Sequence, residues 1–594
     1  MQNSPIDSSE KRQAGLLFWM LIFALNFLLF LPIFLFYNFR SDFFPTEELK
    51  GWSLETITAV FFEKRFNLDI FRFQLEWLLL ILAWVWLKPL RKKWVLVFIF
   101  VLYIAQLIYM IYEGFIRSFY LLEPAFFNDY FLFADLTQFV VKNLDLTLLV
   151  YGLSPLLLVI IITALYRFFV WLLYRQTVNE LTVRSKILFT LFCGFLLFSI
   201  STNEVNAYQP EAAISSFTAK IGYNFILSKD AQANANRFDK AEIASVYNYA
   251  DFDLEERPDI YLIFIESYGS VLYQRSDFLA EMITTLRDLD AQLAESGWSV
   301  ASNMSDAPTW GGGSWISYTS ALSGVRLETH AEYLTLLNQY YNEPYPHLIN
   351  YLRDQGYRSY RLSSISRELD DVQLDRYKDF YGFDEWLRFG DLNYTGPLYG
   401  WGPSPPDQYA LHFAHEYMNN ASDDPNLFFY ISQNSHYPWY PLPTVEEDWR
   451  SFNDMPPVDG SASQSFSQEE LRQNYMRSIQ YELETLTNFI LTVGDDNDIF
   501  VLVGDHQPAR VARRDDGFDT PIHVISRNSA FVELFLENDF LPQLSTRGLG
   551  PNMHHEGFYS LFMQQLIHSF GESQLTSDAL PVYSPSGLIF EKQE

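Results

Sequence analysis

The chain has 594 residues, too many for one ordinary domain, with 41 Lys+Arg against 72 Asp+Glu and a net charge of −31 at pH 7. A surface this acidic excludes nucleic acid as a partner, because phosphate backbones demand a basic footprint. The single cysteine, Cys193, excludes both an intrachain disulfide framework and a cysteine-based zinc site.

The charge is unevenly spread. Residues 1–203 hold 17 Lys+Arg and 15 Asp+Glu, which leaves 24 and 57 for residues 204–594. The front part also holds nearly all the long apolar runs. Five of them, roughly 14–37, 71–89, 94–113, 147–172 and 186–202, reach the length of a membrane-spanning helix. The first is too long for a signal-peptide core and reads as a retained anchor. Lys11 and Arg12 precede it. Lys88, Arg91, Lys92 and Lys93 fill the turn after the second run. Arg167, Arg175, Arg184 and Lys186 lie around the connection from the fourth to the fifth. With a cytoplasmic N-terminus all three groups fall inside, and residues 204–594 fall outside. The expected organisation is a five-helix transmembrane region (1–203), a linker with short helices (204–256) and an extracytoplasmic domain (257–594).

Within the outer domain, "DIYLIFIES" (259–267), "YRSYRLSS" (357–364), "LFFYISQNS" (427–435), "DIFVLVGDH" (498–506) and "PIHVISR" (521–527) read as buried strands. Segments of helical length, such as 275–297, 407–420 and 468–493, lie between them. Alternation of this kind predicts an α/β fold with a mainly parallel sheet. In such sheets the carboxyl ends of the strands form the active-site rim. Here Glu266 ends the first run, His436 follows the third, and Asp505 and His506 end the fourth. An acid after a strand is usually a solvated cap. Acids and histidines at three strand ends together suit a metal of N and O ligands such as Zn or Mn. A second cue is "DAPTWGGGSWISYTSALSGV" (306–325), where three glycines lead to Ser314 and a helical stretch. A helix N-terminus attracts anions, so a serine there could attack a bound phosphate or sulfate. The plainer reading is a glycine loop with Ser314 as its N-cap.

With these motifs in their order, the chain resembles the alkaline phosphatase superfamily, in the membrane-anchored sulfatase-like branch of lipoteichoic acid synthases and phosphoethanolamine transferases. The resemblance rests on Glu266 in "IFIES", the "GDH" of Asp505 and His506, and "SHYP" (435–438). "GWGPSPPDQYAL" (400–411) matches the segment ahead of the "SHYP" strand. It implies one divalent metal ion, Zn or Mn, held by Glu266, Ser314, Asp505 and His506. Gly312, Gly313 and His436 would contact the substrate, His436 also as a catalytic acid. The sulfatase nucleophile lies ten residues before a Gly, and counting back from Gly324 gives Ser314. Sulfatases also need Pro and Arg two and four residues on, where this chain has Ile316 and Tyr318. Ser314 should therefore stay a serine, which suits phosphoryl transfer. The membrane transferases typically use Thr, and Thr309 is the alternative nucleophile. The Asp-x-x-x-His pair of a second zinc site is missing.

The expected enzyme is a multi-pass protein of a bacterial inner membrane. It would move a phosphoglycerol or phosphoethanolamine head group from a phospholipid donor to a glycan or lipid acceptor of the envelope, through a covalent Ser314 intermediate. The rivals are a sulfatase or phosphatase-type hydrolase of the same fold and a non-catalytic lipid-sensing regulator. One of Arg358, Arg361, Arg367 and Arg376 could bind the head group. His554 and His555 could add ligands, although a paired His in a polar loop more often faces solvent.

Overall fold

The structure is a computed structural model. It describes residues 8–37, 53, 68–120, 122–131, 160–161, 163–170, 181–202 and 206–590, save 342, 367–370, 401, 459–465, 509, 513–515 and 573–579. These residues form two compact units, one running to Lys229 without Tyr130–Phe131, the other made of that pair and of Asp230 onward.

Among the described residues, three helices of the first unit are long and apolar enough to cross a membrane: Gly15–Leu35, Lys93–Ser118 and Val183–Thr202. The sequence suggested five. The run at 71–89 contributes a helix of only 12 residues, Leu75–Trp86, about 18 Å long against a hydrocarbon core of about 30 Å. Polar residues at its start explain the shortening. Phe73 and Gln74 pair with Ile214 and Ser215 in a short parallel ladder. The Arg72 guanidinium donates to the Ala212 carbonyl at 2.8 Å. Glu76 accepts from the Phe217 and Thr218 N–H groups at 2.8 and 2.9 Å. That contact gives the Phe217–Ala235 helix an anionic cap. The expected run 147–172 lies mostly outside the described residues. In the same unit the buried Lys220 ammonium meets Glu113 at 2.7 Å, and Arg117 joins at 3.1 Å, so each buried charge has a partner.

The second unit is an α/β domain around an eight-stranded sheet. Its strands are β1 (Ile260–Ile265), β2 (Ser299–Asp306), β3 (Arg358–Ser363), β4 (Glu385–Arg388), β5 (Asn426–Ile431), β6 (Ile499–Gly504), β7 (Asp519–Ser526) and β8 (Met553–His554). Their spatial order is β8-β2-β7-β6-β1-β5-β3-β4. Only β7 runs antiparallel to its neighbours, β2 and β6. The central strands β1 and β6 are buried along their whole length, as apolar runs covered on both faces require. Helices Ser276–Glu295, Asp407–Ala421 and Gln468–Val493 occupy the segments expected to be helical. The first shows why: Phe278, Met282, Leu286, Leu289 and Leu293 recur every three or four residues and are buried.

Register places the site. Ile265 of β1 pairs with Gly504 of β6, and Phe264 pairs with Ile431 of β5. Glu266, Ser432 and Asp505 therefore leave the sheet side by side. Gly504 permits the exit of β6, because a Cβ there would lie 2.1 Å from the Tyr268 carbonyl oxygen.

Candidate active site

Glu266, Asp505 and His506 are buried, and one ligand atom from each lies within 4.8 Å of the others. Each is held by a neighbour. Ser267 has a left-handed backbone with φ of 62°. Its N–H donates to Asp505 Oδ1 at 2.8 Å, and its hydroxyl donates to Glu266 Oε1 at 2.9 Å. The Glu266 N–H donates to Ser432 Oγ at 3.0 Å. His506 Nδ1 lies 2.9 Å from the Gln507 carbonyl oxygen. A proton on Nδ1 satisfies that contact and leaves the Nε2 lone pair free for a ligand role.

Ser314 opens the helix Ser314–Ser323, with Gly313 as N-cap at φ 77° and ψ 37°. Gly312 has φ of 122°, and only glycine adopts these two conformations at little cost. So Ser314 is the first helical residue rather than the cap. Its hydroxyl donates to Glu266 Oε2 at 3.0 Å and lies 3.4 Å from His506 Nε2. The Ile316 N–H closes onto the Gly313 carbonyl at 2.8 Å. The Ser314 and Trp315 N–H groups are the donors that remain at the helix start.

The donor set fits a divalent cation. His506 Nε2 lies 3.3 Å from Asp505 Oδ2 and 3.5 Å from Glu266 Oε1. Four tetrahedral ligands at about 2.0–2.2 Å from one ion are spaced by about 3.3–3.6 Å. Asp505 Oδ2 is fully buried with no hydrogen-bond partner. Burial, followed by the charge of Glu266, pushes the Asp505 carboxyl well above its ordinary range. Burial acts on Glu266 in the same sense, but His506 and His436 outweigh it and hold Glu266 down at about 2. Two buried carboxylates this close do not both ionise unless a cation joins them. Burial also lowers His506 against the opposing pull of Glu266, in the direction of the neutral imidazole that a metal ligand must be.

His436 follows β5 on the loop that Ser432 begins, and it acts electrostatically on both Glu266 and His506. Its Nδ1 lies 2.7 Å from the Tyr437 carbonyl oxygen. Thr309 is buried and its hydroxyl has no partner. The hydroxyl that meets Glu266 and His506 is that of Ser314.

The arginines divide. Arg358 pairs with Glu385. Arg361 is buried in an aromatic box, 4.3 Å from the Trp386 ring and 4.8 Å from Tyr318, whose hydroxyl it bonds at 3.0 Å. Arg376 is half-buried, and Arg367 lies outside the described residues. Arg510, which sequence reasoning passed over, sits 4.6 Å above the Tyr437 ring beside the "SHYP" loop. His554 is partly exposed and joins the buried Glu556 and the mostly buried Arg326. His555 is buried, contrary to expectation: Nε2 meets the Gly504 carbonyl oxygen at 3.1 Å and Nδ1 meets Ser305 at 2.9 Å. It braces the strand end that carries Asp505. Ser267 and Ser432 were not legible as site residues, because each acts through a contact distant in the chain.

Residues 258–523 match the family model described as Sulfatase. This stretch is thus similar to the sulfatase family, and the described residues ahead of it include three helices long and apolar enough to span a membrane. Solved structures similar to the chain include the lipoteichoic acid synthase LtaP from Listeria monocytogenes, at 16% identity over 49% of this chain and 71% of that one, with a TM-score of 0.32. Another is the soluble domain of lipooligosaccharide phosphoethanolamine transferase A from Neisseria meningitidis, at 14% identity over 53% and 88%, with a TM-score of 0.36. A third is the Streptococcus pyogenes phosphoglycerol transferase GacH in complex with sn-glycerol-1-phosphate, at 11% identity over 58% and 87%, with a TM-score of 0.32. No curated protein matches the chain.

Proposed function

We propose that this protein is a membrane-anchored, metal-dependent transferase. It moves a phosphoglycerol or phosphoethanolamine head group from a phospholipid to an acceptor hydroxyl of the cell envelope, through a covalent intermediate on Ser314. The observation that carries the reading is the place of the Ser314 hydroxyl, 3.0 Å from Glu266 and 3.4 Å from His506 at the start of a helix. A divalent ion, Zn or Mn, when bound by Glu266, Asp505 and His506 supplies Lewis acidity and favours the ionised serine. Ser314 Oγ attacks the lipid phosphorus and forms a new P–O bond. The Ser314 and Trp315 N–H groups and the helix dipole stabilise charge on the phosphoryl oxygens. The bond to diacylglycerol breaks, and His436 donates the proton that the leaving oxygen needs. An acceptor hydroxyl then gives its proton to His436 and attacks the same phosphorus, and the bond to Ser314 Oγ breaks to free the serine.

Ile316 and Tyr318 stand where sulfatase maturation needs Pro and Arg, which favours an unmodified serine and phosphorus chemistry. Apolar helices suit an enzyme whose donor is a lipid, and the charge pattern of the first 203 residues favours an extracytoplasmic domain. The test is to incubate the full-length protein with head-group-labelled phosphatidylglycerol or phosphatidylethanolamine, with Zn or Mn, with and without an acceptor alcohol. Diacylglycerol release with the label on the acceptor is the expected result. Label released only to water identifies a hydrolase, and no release from either lipid contradicts the reading.

A further inference from the structure

Glu482 lies in the middle of the Gln468–Val493 helix and is fully buried. No donor reaches either of its carboxyl oxygens. The group it meets is another buried carboxyl, that of Asp407, at the start of the Asp407–Ala421 helix. Asp407 in turn is surrounded by donors. The Gln433 and Asn434 N–H groups reach its Oδ2 at 2.8 Å each, and the Tyr430 hydroxyl reaches Oδ1 at 2.6 Å. Asn434 Oδ1 accepts from the Asp407 N–H at 2.8 Å. Asp407 thus fastens the turn between β5 and His436, which also holds Ser432, the acceptor of the Glu266 N–H.

An acceptor already taking three hydrogen bonds is an ionised carboxylate. A second carboxyl in contact with it, buried and without a donor of its own, must bring the proton. We infer that Glu482 is a positioning residue for the His436 loop: its neutral carboxyl donates a hydrogen bond to Asp407, the carboxylate that fastens the loop. The titratable groups facing Glu482 are Asp407 from the neighbouring helix, Tyr430 from β5 and Tyr481 on its own helix. No cation among the described residues acts on it.

Burial, and then the Asp407 charge, raise Glu482 well above its ordinary range. A group raised on folding stabilises fully below its unfolded pKa, and that contribution is lost as pH rises through the folded value. Alkaline pH therefore sets two buried carboxylates against each other and loosens the turn. Glu482→Gln carries a permanent N–H donor and should hold the clamp at any pH, whereas Glu482→Leu offers none.

The experiment is hydrogen exchange with mass spectrometry on the full-length protein, following peptides of 427–441 against β2 as internal reference. At roughly pH 6 the parent and Glu482→Gln should protect the turn equally, and at roughly pH 9 the parent should be at least about tenfold less protected. Glu482→Leu should be less protected at both. Should Glu482→Leu not fold, the comparison of parent with Glu482→Gln decides alone. Equal protection of those two at both pH values, or loss in Glu482→Gln at the lower pH, overturns the inference. The value of the clamp to catalysis rests on the transferase reading, but the exchange measurement does not. A protein that transfers nothing yet shows this pattern keeps the clamp and loses the transferase.

Discussion

Replacing Asp505 by Asn removes a charge from the proposed ion-binding group and almost no volume. Asn Oδ1 can still accept from the Ser267 N–H, the contact Asp505 makes at 2.8 Å, so the strand end should hold. What changes is the atom at Oδ2, the buried oxygen without a partner, which becomes an amide nitrogen that cannot ligate. Loss of an outer-sphere partner weakens metal binding by about 10–100-fold, so loss of a direct ligand should reach at least about 100-fold. At free metal of about 100 times the parent dissociation constant, binding stabilises the parent by about 2.7 kcal/mol and the variant by about 0.4 kcal/mol. An outer domain of about 340 residues has an unfolding entropy near 0.7 kcal/mol/K, so metal should raise its Tm by about 4 °C in the parent and under 1 °C in Asp505→Asn. Calorimetry with and without Zn or Mn, paired with elemental analysis, measures both. Equal metal content and an equal shift in the two proteins would refute the assignment.

Ser314→Ala should abolish head-group transfer while leaving metal largely bound. A helix-start serine with only a structural role would instead cost about 0.5–2 kcal/mol and spare activity. Thr309→Ala should keep transfer, and loss of transfer there with Ser314→Ala active would move the chemistry to Thr309. Gly504→Ala forces a Cβ to 2.1 Å from the Tyr268 carbonyl oxygen, which should cost about 1–3 kcal/mol and lower metal content, read by calorimetry and elemental analysis. A reporter that works only outside the cytoplasm should be active when fused after residue 210 and silent near Lys186, at the start of the last apolar helix. The reverse pattern would overturn the orientation.

The strands that carry the site were legible because they are uninterrupted apolar runs. "IYLIFI" and "IFVLVG" could only be buried, and their ends marked Glu266, Asp505 and His506. β2 was missed because "SVASNMSD" is small and polar, yet Ser302, Asn303 and Ser305 are all buried in it. Their partners come from β7 and from His523 and His555, more than 200 residues away. The apolar run at 71–89 looked like a crossing helix because Arg72, Gln74 and Glu76 are few among many apolar neighbours. Their bonds to residues 212–218 are what shorten it. The Glu482–Asp407 contact was invisible for a related reason. A glutamate in a polar helix gives no sign that it will be buried against another acid.

The most direct test of the central claim is mass spectrometry of the full-length protein trapped during turnover with phosphatidylglycerol or phosphatidylethanolamine. The peptide containing Ser314 should carry the mass of phosphoglycerol or phosphoethanolamine, and Ser314→Ala should carry none. An adduct on Thr309, a formylglycine at position 314, or an unmodified Ser314 in a protein that is turning over lipid would contradict the account.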